Sequence, residues 1–121
     1  METSSSLVDR ALAAADRRAG ELLPALRRWV EVNSYTGNVD GCNRVADLLI
    51  ESFALPGLTH ERVPGNGCGD HVIWRTPAWA SAPERRVILV GHHDTVFPPG
   101  TFEVWEESGD RLRGPGVLDM K

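Results

Sequence analysis

The chain has 121 residues, of which 41% are hydrophobic and 25% charged; this is the composition of one folded domain or part of one, and it excludes a disordered or low-complexity chain. A formal net charge of −4 excludes a basic field that would draw the protein to nucleic acid or to an anionic membrane. Two cysteines, Cys42 and Cys68, are too few for a disulfide framework at this size.

Ser4 to Ser6 can cap a helix, with Asp9 three residues after Ser6 as partner. The stretch Leu7 to Val32 is helical in composition, and Gly20 and Pro24 predict a kink or two shorter helices in place of one rod. Leu22, Leu23, Leu26, Trp29 and Val30 recur at helical spacing and should face a core. Asn33 to Asn38 gathers turn-formers. A second helix is predicted from Val39 to Phe53, because Cys42, Val45, Ala46, Leu49 and Phe53 form one apolar stripe; Cys42 then reads as a buried, inert thiol. Pro56 and Gly57 end it.

The pattern then changes. Thr59 to Val63 and His71 to Arg75 read as short strands flanking a Gly-rich turn, Pro64 to Asp70. The run Gly65-Asn66-Gly67-Cys68-Gly69 lacks a third Gly at the dinucleotide spacing and lacks a Lys-Ser/Thr pair, so it reads as a turn and not a phosphate loop. His60 and His71 are isolated and flank the predicted strands, so each reads as solvent-facing or as a hydrogen-bonded structural residue. Pro77 to Pro83 is a loop. Val87-Ile88-Leu89-Val90 suits a strand covered on both faces. Phe102 to Glu106 and Arg111 to Arg113, joined by Ser108-Gly109-Asp110, form a hairpin. Helices first, then a buried strand feeding a polar loop, argue for an α/β layered domain. The start lacks the basic and apolar regions of a signal peptide, and the longest aliphatic run is four residues, so a cytoplasmic location is the expectation.

Two segments carry chemistry. In Gly91-His92-His93-Asp94-Thr95-Val96, an extended backbone puts His92 and Asp94 on one side and His93 on the other. An imidazole with a carboxylate two residues on is a metal ligand with its own clamp, since the acid can hold the far ring nitrogen and fix the tautomer. A polar strand end without a metal is the equal alternative for this triplet. In Gly114-Pro115-Gly116-Val117-Leu118-Asp119, a tight turn delivers one isolated acid. By itself that segment is best read as an ordinary turn with an acidic cap, although a carboxylate can also bridge two metal ions.

Taken together, Gly91-His92-His93-Asp94-Thr95-Val96 with its Phe97-Pro98 continuation, then Gly114-Pro115-Gly116 with Asp119-Met120-Lys121, resemble the aminoacylase/carboxypeptidase family of dinuclear zinc hydrolases. That family includes glutamate carboxypeptidase, acetylornithine deacetylase and succinyl-diaminopimelate desuccinylase. The resemblance is specific from Val87 to Lys121 and compatible from Leu22 to Phe53. It implies the N-terminal part of a catalytic domain, with helices packed on a mixed, largely parallel sheet. It implies that His92 binds one zinc ion, that Asp94 clamps His92 as a catalytic-site residue, and that Asp119 bridges two zinc ions. His93 sits where the family varies and receives no ligand role. The Asp119–Met120 peptide would be cis. The cofactor would be two zinc ions, with cobalt or manganese as alternatives. The substrate would be a small N-acyl amino acid or short peptide, with no nucleic-acid or membrane partner, and a homodimeric complete enzyme is compatible with this.

Family members continue beyond the position of Lys121 into a Gly-Gly, a helix, a Glu general base, further acidic ligands, a distal His and a lid-like dimerisation domain. None of these has a counterpart here, so the chain is expected to be an N-terminal portion, inactive alone. The alternative is a catalytically dead remnant that serves as a binding or interaction module.

Overall fold

The computed structural model describes residues 4–119. Helix α1 spans Ser4–Val30 and α2 spans Val39–Ser52. Strands β1 (Thr59–Val63) and β2 (His71–Arg75) follow, then a four-residue helix α3 (Ala78–Ser81) and a 3-10 turn, Pro83–Arg85. Strands β3 (Glu106–Ser108) and β4 (Arg111–Arg113) come last. The result is a small α/β body with two separate two-stranded antiparallel sheets. The largely parallel sheet expected from the resemblance is not formed among the described residues. The parallel pairing they contain is one isolated bridge, between Tyr35 and Thr95.

Helix α1 runs unbroken through Gly20 and Pro24, so the division into two shorter helices is not realised. Proline removes one hydrogen bond and its ring crowds the carbonyl four residues back. That residue is Gly20, beside which nothing lies within 4 Å of a would-be Cβ. No neighbour therefore resists the local adjustment the ring needs. Ser4 is already helical, so the capping position falls outside the described residues.

Length decides which part of α1 is buried. Twenty-seven residues rise about 40 Å and the fourteen of α2 about 21 Å, so α2 can cover only one end of its neighbour. Trp29 and Val30 are buried, Leu26 is half-buried, and Leu22 and Leu23 are exposed. The five-residue core stripe expected from periodicity thus shrinks to its last turn. There, Arg28 forks onto Glu51 at 3.0 and 3.3 Å, and the Trp29 indole donates to Ser52 Oγ at 3.3 Å. An exposed ion pair contributes about 0–1 kcal/mol, whereas truncating a core tryptophan costs about 3–5 kcal/mol. Burial of Trp29 is the stronger tie.

The stripe on α2 is observed largely as expected. Cys42, Val45 and Ala46 are buried and Leu49 half-buried. Phe53 caps the helix, partly exposed, between Trp29 (centroids 6.4 Å) and Trp74 (5.4 Å). The Cys42 thiol faces the carbonyls of Ser34 and Tyr35 at 3.4 Å each. The hairpin pairs Thr59 with Arg75 through Val63 with His71. Arg62 pins it to α2, donating to Asp70 at 2.7 Å, to Asp47, and to the Asn43 carbonyl at 3.3 Å. The Arg62 guanidinium holds the Asp70 carboxyl below the ordinary carboxylate value. His60 and His71 are exposed on this hairpin.

Three expectations need correction. The Pro77 to Pro83 loop contains a helical turn, α3. The last hairpin begins at Glu106, not Phe102, because the Phe102 ring packs edge-on against Phe97 at 4.9 Å. The aliphatic run Val87 to Val90 is neither a strand nor covered: its residues are 70–93% exposed. A strand is a property of a pair, and hydrophobic composition supplies no ladder bonds without a neighbouring backbone. No helix among the described residues is long and apolar enough to cross a membrane.

Candidate metal centre

The loop between α1 and α2 grips the polar segment that follows the aliphatic run. Asn33 Nδ2 donates to the Phe97 carbonyl at 3.2 Å. Ser34, fully buried, donates its hydroxyl to the His93 carbonyl at 2.7 Å. Thr95 N–H donates to Ser34 O at 2.8 Å, and Thr36 N–H donates back to Thr95 O at 2.9 Å. Asn38 steadies the loop, donating to Asn33 O at 3.0 Å while its own Oδ1 accepts the Gly41 N–H and caps α2. The turn-formers of Asn33 to Asn38 thus do more than reverse the chain. Their short polar side chains satisfy the backbone of the His-His-Asp segment.

The Gly-Pro-Gly turn brings in the second acid. Gly114, Pro115 and Gly116 are all buried. A Cβ on Gly114 would lie 2.9 Å from both Val104 O and Val30 Cγ1, so only glycine lets the chain pass this close to the end of α1. Gly116 takes a φ of 82°, a conformation that side chains disfavour. The turn therefore closes against the buried end of α1 and returns Asp119 toward His92.

At the centre, His92 Nδ1 lies 3.1 Å from both the carbonyl and the Oδ1 of Asp94. Its Nε2 lies 3.3 Å from Asp119 Oδ1, across 27 positions of chain. Asp94 Oδ2 accepts the Thr36 hydroxyl at 2.6 Å. All three sequence-predicted site residues are therefore brought together, with Asp94 and Asp119 on opposite ring nitrogens. Partial desolvation pulls His92 down, but the Asp94 carbonyl and the carboxylates of Asp119 and Asp94 outweigh it and raise it above the ordinary histidine value. The Thr36 hydroxyl, followed by His92, holds Asp94 below the ordinary carboxylate value against the opposing desolvation.

Two acceptors at Nδ1 make that nitrogen the donor. A neutral ring then turns the Nε2 lone pair toward a carboxylate oxygen. Two lone pairs 3.3 Å apart repel unless a positive centre lies between them. A proton on Nε2 is one such centre, and the raised histidine value reflects it. A metal ion is the other. With zinc–ligand bonds of about 2.0–2.2 Å, the edge of a tetrahedral site is about 3.3–3.6 Å. The His92–Asp119 separation matches that edge and is long for an N–H···O hydrogen bond, whose usual distance is about 2.9–3.0 Å. Imidazole and carboxylate are both zinc donors, so this pair fits the group. Asp119 is 85% exposed in its side chain, which leaves room for a second ion. No group of three or more His, Cys, Asp or Glu among the described residues is arranged to hold a metal. The Asp119–Met120 peptide lies outside the described residues.

Ser34 and Thr36 were not singled out as site residues from sequence. Their signal was present only as a cluster of turn-formers, and nothing local connects them to a segment 58–59 positions away.

No family model matches the chain, and no solved structure matches it. The chain is 28% identical over 95 residues to the succinyl-diaminopimelate desuccinylase of Paraburkholderia xenovorans (strain LB400), a match covering 73% of this chain and 24% of that protein. The chain thus spans about a quarter of the length of the relative it matches. What these findings support is a distant relationship to a hydrolase.

Proposed function

We propose that this chain carries part of the metal centre of a dinuclear zinc hydrolase of the aminoacylase/carboxypeptidase type, which cleaves an amide bond in an N-acyl amino acid or short peptide. The observation that carries this reading is the pairing of His92 Nε2 with Asp119 at 3.3 Å while Asp94 occupies Nδ1. The distant similarity to a desuccinylase supports the same reaction class. His92 offers its Nε2 lone pair to one ion. Asp94 keeps the proton on Nδ1, fixes the ring, and makes Nε2 more basic. Asp119, whose Oδ1 lies beside His92 Nε2, would hold metal through its carboxylate. Bound zinc would supply Lewis acidity, toward both water and the scissile carbonyl. The general base and the remaining ligands would come from outside this chain, and Val87 to Val90 would join a larger, mostly parallel sheet.

Calorimetric titration of the purified chain with zinc tests the reading. Weak binding is expected, since two donors are present where a closed site uses about four, and it should be lost in both His92→Ala and Asp119→Asn. Binding unchanged in His92→Ala would sink the proposal. The chain alone is expected to show no amide hydrolysis above background, because removing even a general base costs about 10²–10⁴-fold. Zinc-dependent turnover of an N-acyl amino acid would overturn that expectation.

A further inference from the structure

We propose that Thr36 is a positioning residue of this centre: its hydroxyl locks the Asp94 carboxylate, so that Asp94 holds the His92 ring with Nε2 bare and directed at Asp119. The inference rests on the reading of His92 as a metal ligand, and extends the site to the loop between α1 and α2.

A carboxylate turns about a broad, roughly two-fold terminal torsion. One hydrogen bond to the His92 ring leaves the plane of Asp94 free to swing. A second bond to its other oxygen removes that freedom. Thr36 Oγ1 supplies it at 2.6 Å to Oδ2, while Oδ1 faces His92 Nδ1 at 3.1 Å. The same hydroxyl lies 3.2 Å from the Thr95 carbonyl. A hydroxyl has one proton to give, and the shorter path to a charged acceptor takes it, since such bonds are roughly twice as strong as neutral ones.

Thr36 can perform this role because its own backbone is fixed. Its N–H is bonded to Thr95 O at 2.9 Å, and Thr95 N–H to Ser34 O at 2.8 Å. Ser34 is fully buried and holds the His93 carbonyl. The hydroxyl is thus referenced to the same segment that bears His92 and Asp94, so a shift of the loop carries donor and acceptor together. Thr36 itself is exposed. Its hydroxyl fills no core, and replacement by valine keeps its shape while deleting the donor.

The experiment uses the whole chain and the variants Thr36→Val, Thr36→Ser and His92→Ala. Long-range ¹⁵N–¹H NMR of the metal-free protein, at a pH where the ring is neutral, reads the His92 tautomer. Zinc titration reads affinity. The wild type should show the Nδ1–H form. Thr36→Val should show mixed tautomers and bind zinc about tenfold more weakly, the lower end of the loss seen on removing outer partners of metal ligands. Its unfolding should stay cooperative, which shows that the variant still folds. Thr36→Ser should restore both readouts. A Thr36→Val chain that keeps the wild-type tautomer and affinity overturns the proposal, as does a Thr36→Ser chain that fails to rescue. Wild-type zinc binding in His92→Ala would instead overturn the metal reading on which this role depends, and the tautomer readout, taken without metal, tells the two failures apart.

Discussion

Two neighbouring stretches of one segment differ sharply. Val87 to Val90 is the most hydrophobic run in the chain, yet it is bare, with no ladder partner among the described residues. His93 to Phe97, three residues on, is polar at its start and is gripped by Asn33, Ser34 and Thr36. The difference shows what fixes a chain in place. Apolar side chains stabilise only where another surface excludes water from them. A short polar side chain that meets a backbone group at the right distance fixes that group locally, and once buried it becomes costly to remove. Asp94 lies in the gripped stretch and His92 beside it, so their contact forms although the adjoining run has no cover.

The strongest way to break this contrast is Ser34→Ala. It leaves the His93 carbonyl without the buried hydroxyl, and should cost about 1–3 kcal/mol, read by thermal or urea unfolding. A cost under about 0.5 kcal/mol, the range of neutral surface changes, would show that the grip lies elsewhere. Next comes the bare run. An exposed apolar edge invites association, so the wild-type chain should self-associate. Ile88→Lys with Leu89→Lys should make it monomeric by size exclusion with light scattering, while changing unfolding by no more than about 0.5 kcal/mol. A wild type that is already monomeric at high concentration would remove the contrast.

Smaller effects come from ionisation. His92 is raised in the folded state. Its contribution to stability is therefore fully present below the ordinary histidine value and is lost as pH rises through the raised one. Asp94→Asn should move the His92 NMR titration midpoint down and reduce that loss, with the Asp94 carbonyl and Asp119 still raising the ring; an unmoved midpoint would mean that the Asp94 carboxylate does not act on the ring. The smallest effect belongs to the hairpin. Asp70 is lowered by Arg62, so its contribution is present above the ordinary carboxylate value and lost as pH falls through the lowered one. Asp70→Asn should flatten the acid limb of the stability curve, and an acid limb identical to wild type would count against the Arg62 pairing.

The sequence by itself carried whatever depends on neighbours along the chain. The stripe from Cys42 to Phe53 marked α2, because a helix brings every third and fourth residue to one face. The paired strands around Pro64 to Asp70 followed from turn chemistry. The His92-His93-Asp94 spacing predicted the contact between His92 and Asp94, since two residues of extended backbone return to the same side. Tertiary structure decided everything that depends on reach. It chose which end of α1 is buried, because a helix half as long can cover only one end. It left Val87 to Val90 exposed, because burial needs a second surface that composition cannot specify. It also brought Asp119 to His92 and Ser34 and Thr36 to the same centre, because closing loops of this length is set by packing at Val30 and Gly114 and by backbone hydrogen bonds that no local pattern encodes.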